Sequence, residues 1–129
     1  MIEEKYRKAL IKLLKNAVVP SDSLHFSSIV VMKDGTEFSS INIKNAVFRD
    51  TICAEQGAIA QAVTKGYKKG DFDKIYVMVG SERLSDLKYL NRAVISEFFE
   101  PQRDVICMNL FGEGVILKVD NLYSSVFNY

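Results

Sequence analysis

Three stretches of this chain, Ile29-Val30-Val31-Met32, Ile75-Tyr76-Val77-Met78-Val79 and Val105-Ile106-Cys107-Met108, are apolar without alternation. A strand with one wet face alternates apolar and polar side chains, so unbroken runs of this kind predict strands covered on both faces. Such strands, separated by helical segments, point to a mixed sheet with helices on both faces. The intervening segments supply them. Ile2, Tyr6, Ala9, Leu10, Leu13 and Leu14 recur at steps of three and four, the stripe of an amphipathic helix over residues 2–16, with Pro20 marking its end. Ile52, Ala54, Ala58, Ile59, Ala62 and Val63 repeat the spacing from Thr51 to about Gly66, with residues small enough for close approach to a sheet. Ser85-Asp86 offers an N-cap for a third helix from Leu87 to Phe99, which Pro101 follows.

Asp34-Gly35 is a strong hairpin signal and predicts a return strand from Glu37 to Ile43. Phe111-Gly112-Glu113-Gly114 turns into Val115 to Val119, and a short helix or turn begins at Asp120. The order is α-β-β-α-β-α-β-β-α, an α/β fold with a mixed sheet and helices on both faces.

With 129 residues, 48% hydrophobic and 26% charged, the chain suits one domain over residues 1–129. The formal net charge is +1, which removes the bulk electrostatic argument for nucleic acid or an anionic membrane as partner. No apolar run approaches the roughly 20 residues of a spanning helix. The start, Met1-Ile2-Glu3-Glu4-Lys5, lacks the basic-then-apolar order of a secretory signal. Two cysteines are too few for a disulfide framework. Cytoplasm is the expected compartment.

Ile41-Asn42-Ile43-Lys44-Asn45-Ala46, followed by Thr51-Ile52-Cys53-Ala54-Glu55, resembles the cytidine deaminase family, in which an Asn-x-Glu-Asn-Ala segment precedes Thr-x-Cys-Ala-Glu-Arg at the opening of a helix. The leading helix, the hairpin, the helix after Cys53 and the closing Leu122-Tyr123-Ser124-Ser125 fall where the small tetrameric members have counterparts, and blasticidin-type deaminases belong to the same neighbourhood by resemblance. The resemblance implies a three-layer α/β/α sandwich with a five-stranded mixed sheet, and a homo-oligomer, dimer or tetramer. It also implies a zinc ion held by one cysteine of Cys-Ala-Glu and two of a later Pro-Cys-x-x-Cys. Three protein ligands leave a fourth position for water, whose pKa the cation lowers towards about 7. The glutamate moves protons and is not a ligand. Cys53 matches the first ligand, Glu55 the proton shuttle and the Ala54 amide a donor to the pyrimidine.

The remainder of that zinc site is missing. Arg92-Ala93-Val94-Ile95-Ser96-Glu97-Phe98 aligns with the helix that follows the cysteine pair, which puts Leu87, Lys88 and Asn91 at the Pro-Cys-x-x-Cys positions. An ammonium has no lone pair to donate and a neutral amide is a poor zinc ligand. A +1 charge at ~4 Å from a +2 ion is repelled by about 8 kcal/mol in an effective dielectric near 20. Gln56 stands where the family has arginine, Lys44 replaces a glutamate that with Asn42 holds the ribose, Leu24 replaces an aromatic ring, and Val126 or Phe127 is the nearest candidate for a displaced terminal phenylalanine.

Each residue has two readings. Lys88 is a solvated lysine, or its ammonium takes the place of the ion beside Glu55. Asn42 touches a ribose, or stabilises a turn. Lys44 is solvated, or suits a phosphate. Cys107 in a buried strand behaves as a small hydrophobe, and the lone histidine, His25, as a structural residue. The expectation is a deaminase-like protein with no zinc cofactor and no hydrolytic activity that binds a nucleoside or nucleotide through Leu24, Asn42, Lys44 and Ala54. An active zinc enzyme with an atypical site and a purely structural subunit are the alternatives.

Overall fold

A computed structural model describes residues 3–17, 19, 23–44 and 51–124. Pro20, the Asn45-Ala46 pair and Val126 and Phe127 lie outside the described residues. Helix α1 (Glu4–Leu14) leads into strands β1 (Phe26–Met32) and β2 (Glu37–Ile41). Helix α2 (Ala54–Thr64) and strand β3 (Phe72–Val79) follow. A 3₁₀ helix (Leu84–Tyr89), helix α3 (Arg92–Phe98), strands β4 (Asp104–Met108) and β5 (Gly114–Lys118), and a second 3₁₀ helix (Val119–Ser124) complete the order. The five strands run β2-β1-β3-β4-β5, with β3 and β4 parallel and every other neighbour antiparallel.

The absence of alternation in the apolar runs has a direct structural cause. Ile29 and Val31 of β1, Tyr76 and Met78 of β3, and Ile106 and Met108 of β4 point to one face, under Tyr6, Leu10 and Leu14 of α1. Their alternate neighbours Val30, Met32, Ile75, Val77, Val79, Val105 and Cys107 point to the other, against α2, α3 and the second 3₁₀ helix. Both faces are covered, so both sets are apolar. The Asp34-Gly35 turn forms as expected, with Gly35 at φ 90° and the Asp34 carboxylate accepting from Thr36 N at 2.9 Å. The small residues of α2 let it press on the sheet. A Cβ placed on Gly57 would lie 2.1 Å from Ser40 Oγ.

Three boundaries differ from the sequence expectation. β1 begins earlier, at Phe26, and β2 ends at Ile41, after which Ile43 pairs with Ile52 through an isolated antiparallel bridge. The expected helix from Leu87 to Phe99 is divided, because Leu90 adopts an extended conformation (ψ 135°) and Asn91 restarts the chain as the N-cap of α3. Asp86 is not a helix cap. Its carboxylate is buried and accepts from Ser81 Oγ at 2.7 Å, with Arg83 0.6 Å farther off at 3.3 Å.

Candidate ligand cavity

The first turn of α2 carries the chemistry. Cys53 is extended (φ −76°, ψ 149°) and hands the chain into the helix at Ala54, so Cys53, Ala54 and Glu55 all face one cavity of about 390 Å³. That volume lies within the range of small-molecule sites. Leu24, Phe26, Asn42, Lys44, Thr51 and Tyr89 line it as well. The four residues proposed from sequence to touch a ligand, Leu24, Asn42, Lys44 and Ala54, are therefore brought together with Cys53 and Glu55.

Asn42 bonds two backbone groups beside the cavity. Its Oδ1 accepts from Phe26 N at 2.8 Å and its Nδ2 donates to the Leu24 carbonyl at 2.9 Å, stitching the entry of β1 to the end of β2. Lys44 lies close enough to Cys53 to draw its thiol pKa downward. Burial and the neighbouring Glu55 outweigh that and push the Cys53 thiol up.

Glu55 is 2% exposed, and burial raises its carboxyl above the ordinary range. A buried carboxyl needs a hydrogen-bond partner, and Glu55 Oε2 accepts from the backbone N–H of Asn91 at 2.6 Å. The same residue reaches Cys53, with Nδ2 3.6 Å from the sulfur. Lys88 is exposed on the 3₁₀ helix, with its ammonium 5.3 Å from the Tyr89 ring centroid, and a bond to the Glu55 carboxylate comes from the Asn91 backbone. Cys107 is fully buried in β4, its thiol pushed up to about 12 by burial. His25 Nδ1 lies 3.4 Å from the Leu14 carbonyl, a structural placement.

Sequence reasoning missed Phe26 and Tyr89 as cavity walls and Asn91 as a cap. The cap was readable, since asparagine directly before Arg92-Ala93-Val94 is a favoured helix start.

The donor set decides whether zinc fits. A catalytic zinc takes three protein ligands. Near Cys53 the second candidate is Asn91, whose Oδ1 is engaged as the cap of α3, accepting from Val94 N at 3.2 Å, while its Nδ2 presents hydrogens to the sulfur. Among the described residues no three His, Cys, Asp or Glu side chains converge. The residues present do not fit the ion.

Comparison with known proteins agrees with the fold. A cytidine deaminase from Mycoplasma genitalium is 26% identical over 120 residues, covering 93% of this chain and 91% of that protein. One from Sporosarcina psychrophila is 29% identical over 117 residues, covering 91% and 85%. The crystal structure of a cytidine deaminase from Burkholderia pseudomallei superposes with a TM-score of 0.83 at 24% identity, over 95% of this chain and 96% of that one. The family model described as the cytidine and deoxycytidylate deaminase zinc-binding region matches residues 1–83, a span that stops short of Lys88 and Asn91. The chain belongs to the cytidine and deoxycytidylate deaminase family.

Proposed function

We propose that this chain is a cytidine deaminase relative that binds a pyrimidine nucleoside or nucleotide in the cavity beside Glu55, holds no catalytic zinc and does not hydrolyse the ring amine. One observation carries the reading. The only cysteine sulfur at the cavity is Cys53, and the residue opposite it, Asn91, offers the sulfur hydrogens instead of a second lone pair. Without a cation to lower its pKa, a water near Glu55 has no route to hydroxide at neutral pH. What remains is recognition. Leu24 and Phe26 are apolar walls, Tyr89 offers an aromatic face that is 61% exposed, and the Ala54 amide and Glu55 carboxyl are polar contacts at the helix start. The reading includes a single-domain cytoplasmic protein that assembles as a dimer or tetramer, with neither nucleic acid nor membrane as partner. Among the described residues no helix is long and apolar enough to cross a membrane.

A second reading has its own support: relatives matched over more than nine-tenths of this chain carry the name cytidine deaminase. It holds that the chain is an active deaminase whose metal site is completed by a neighbouring subunit. Elemental analysis of purified protein, ammonia release from cytidine, deoxycytidine and deoxycytidylate, and thermal shift with the same compounds separate the two. The first reading expects substoichiometric zinc, no ammonia and a ligand-dependent rise in melting temperature. Near-stoichiometric zinc with ammonia release establishes the second. No thermal shift with any nucleoside or nucleotide leaves the structural-subunit alternative.

A further inference from the structure

We propose that Asn91 ties the first turn of α2 to the first turn of α3 by hydrogen bonds alone, so that the cavity floor is assembled without a metal ion and the Glu55 carboxyl is aimed by a protein donor. Asn91 acts here as a positioning residue. The inference rests on the metal-free half of the reading above and goes beyond it, since loss of zinc does not by itself say what replaces the cross-link.

Besides the helix bond that its carbonyl accepts from Ile95 N at 3.4 Å, Asn91 makes three bonds in three directions. Its backbone N–H meets Glu55 Oε2 at 2.6 Å, its Nδ2 meets Cys53 Sγ at 3.6 Å, and its Oδ1 receives Val94 N at 3.2 Å. These are mutually consistent. Capping Val94 fixes the oxygen of the side-chain amide on the α3 side, which leaves the NH₂ end facing Cys53. The extended Leu90 (φ −54°, ψ 135°) ends the 3₁₀ helix, and its own N–H returns to the Leu87 carbonyl at 2.9 Å. The Asn91 N–H is thereby released from the helix ladder and turned towards α2. Cys53 and Glu55, two residues apart, are thus gripped from opposite ends of one residue. That is the mechanical task a shared ion performs between two helix starts.

The test uses the full chain with uniform ¹⁵N labelling. The Asn91 amide is expected well downfield and among the slowly exchanging amides, and Glu55→Ala is expected to move it upfield and remove its protection. The melting temperature is expected to be the same with EDTA, with added zinc and with neither. Asn91→Ala is expected to lower it by about 5–10 °C, and Asn91→Ser, which keeps a capping oxygen but not the NH₂ donor, to recover about half of that loss. Should Asn91→Ala not fold, the chelator measurement and the Asn91 amide, with and without Glu55→Ala, still decide. A melting temperature that EDTA lowers and zinc restores overturns the inference together with the metal-free reading. No chelator effect, combined with an Asn91 amide that exchanges like an exposed loop amide and ignores Glu55→Ala, overturns the tie alone.

Discussion

Asn42→Ala distinguishes a ligand contact at Asn42 from a structural brace. The side chain is 5% exposed and serves two backbone groups of the same segment, Phe26 N–H at 2.8 Å and the Leu24 carbonyl at 2.9 Å. Truncation leaves the first N–H of β1 without its acceptor, in a partly buried position, at about 1–3 kcal/mol. The Leu24 carbonyl loses its donor but borders the cavity, where water can take over, so its share is nearer the net value of about 0.5–1 kcal/mol. The sum is about 1.5–4 kcal/mol, equivalent to a melting temperature lower by about 5–16 °C for a domain of this size. Urea unfolding without ligand is the assay, with an unchanged slope required so that the midpoint shift reads stability. Asn42→Asp provides a control with a sign: it keeps an acceptor for Phe26 N–H but sets a carboxylate against the Leu24 carbonyl, so it is destabilising at pH 7 and less so at pH 4. If Asn42→Ala unfolds at the same urea concentration as the parent and loses only ligand affinity, the bracing argument is wrong and the amide belongs to the ligand.

Gly57→Ala is expected to destabilise by about 2 kcal/mol or more through overpacking, because the new Cβ would fall 2.1 Å from Ser40 Oγ and 3.0 Å from Ser40 Cβ; Ser40→Gly in the same chain recovers most of the loss by chemical denaturation. Arg92 donates from Nε to the Leu122 carbonyl at 2.8 Å and from Nη1 to the Lys88 carbonyl at 3.0 Å, so Arg92→Lys, which lacks the planar fork, is expected to cost about 1 kcal/mol and to speed amide exchange across residues 119–124. Tyr76 is stacked on Tyr6 at 4.1 Å, and burial with the nearby Glu3 raises its phenol from 10.0 to about 12. The fold therefore favours the neutral phenol: this contribution is complete below pH 10 and is lost as pH rises to about 12, and Tyr76→Phe is expected to flatten the alkaline limb of a stability-against-pH curve.

The layers were legible because their cause is periodic. Runs without alternation, helical stripes at Tyr6, Leu10 and Leu14, and the Asp34-Gly35 turn each depend on neighbours within a few residues, and each formed close to where its pattern lay. The helix that opens at Cys53 was legible for the same reason, and with it the convergence of Cys53, Ala54 and Glu55. The walls were not. Phe26 and Tyr89 border the cavity through tertiary packing that no local pattern encodes, and Tyr89 sits one residue past a lysine that drew attention for its charge. Ser27 and Ser28 are another case. Both are completely buried on a strand, acceptable because Ser27 Oγ donates to the Leu10 carbonyl at 2.9 Å and Ser28 Oγ to the Tyr76 carbonyl at 2.8 Å, partners far away in sequence.

Lys88 shows why position along an alignment does not give direction. A single α-helix through residues 84–98 would turn 100° per residue; a 3₁₀ helix turns 120°. Over the four steps from Leu84 to Lys88 the difference accumulates to roughly 80°, nearly a quarter turn. In that geometry Leu87 is fully buried and Lys88 faces solvent beside Tyr89. The extended Leu90 then breaks the register altogether, and Asn91 enters α3 as a cap whose side chain is oriented by Val94 and not by the preceding turn. The uncharged Asn91, with one backbone and one side-chain donor, bonds both Glu55 and Cys53. An amide beside a cysteine sulfur supplies hydrogens to it but no lone pair for a cation, so it adds a hydrogen-bond donor and no metal ligand.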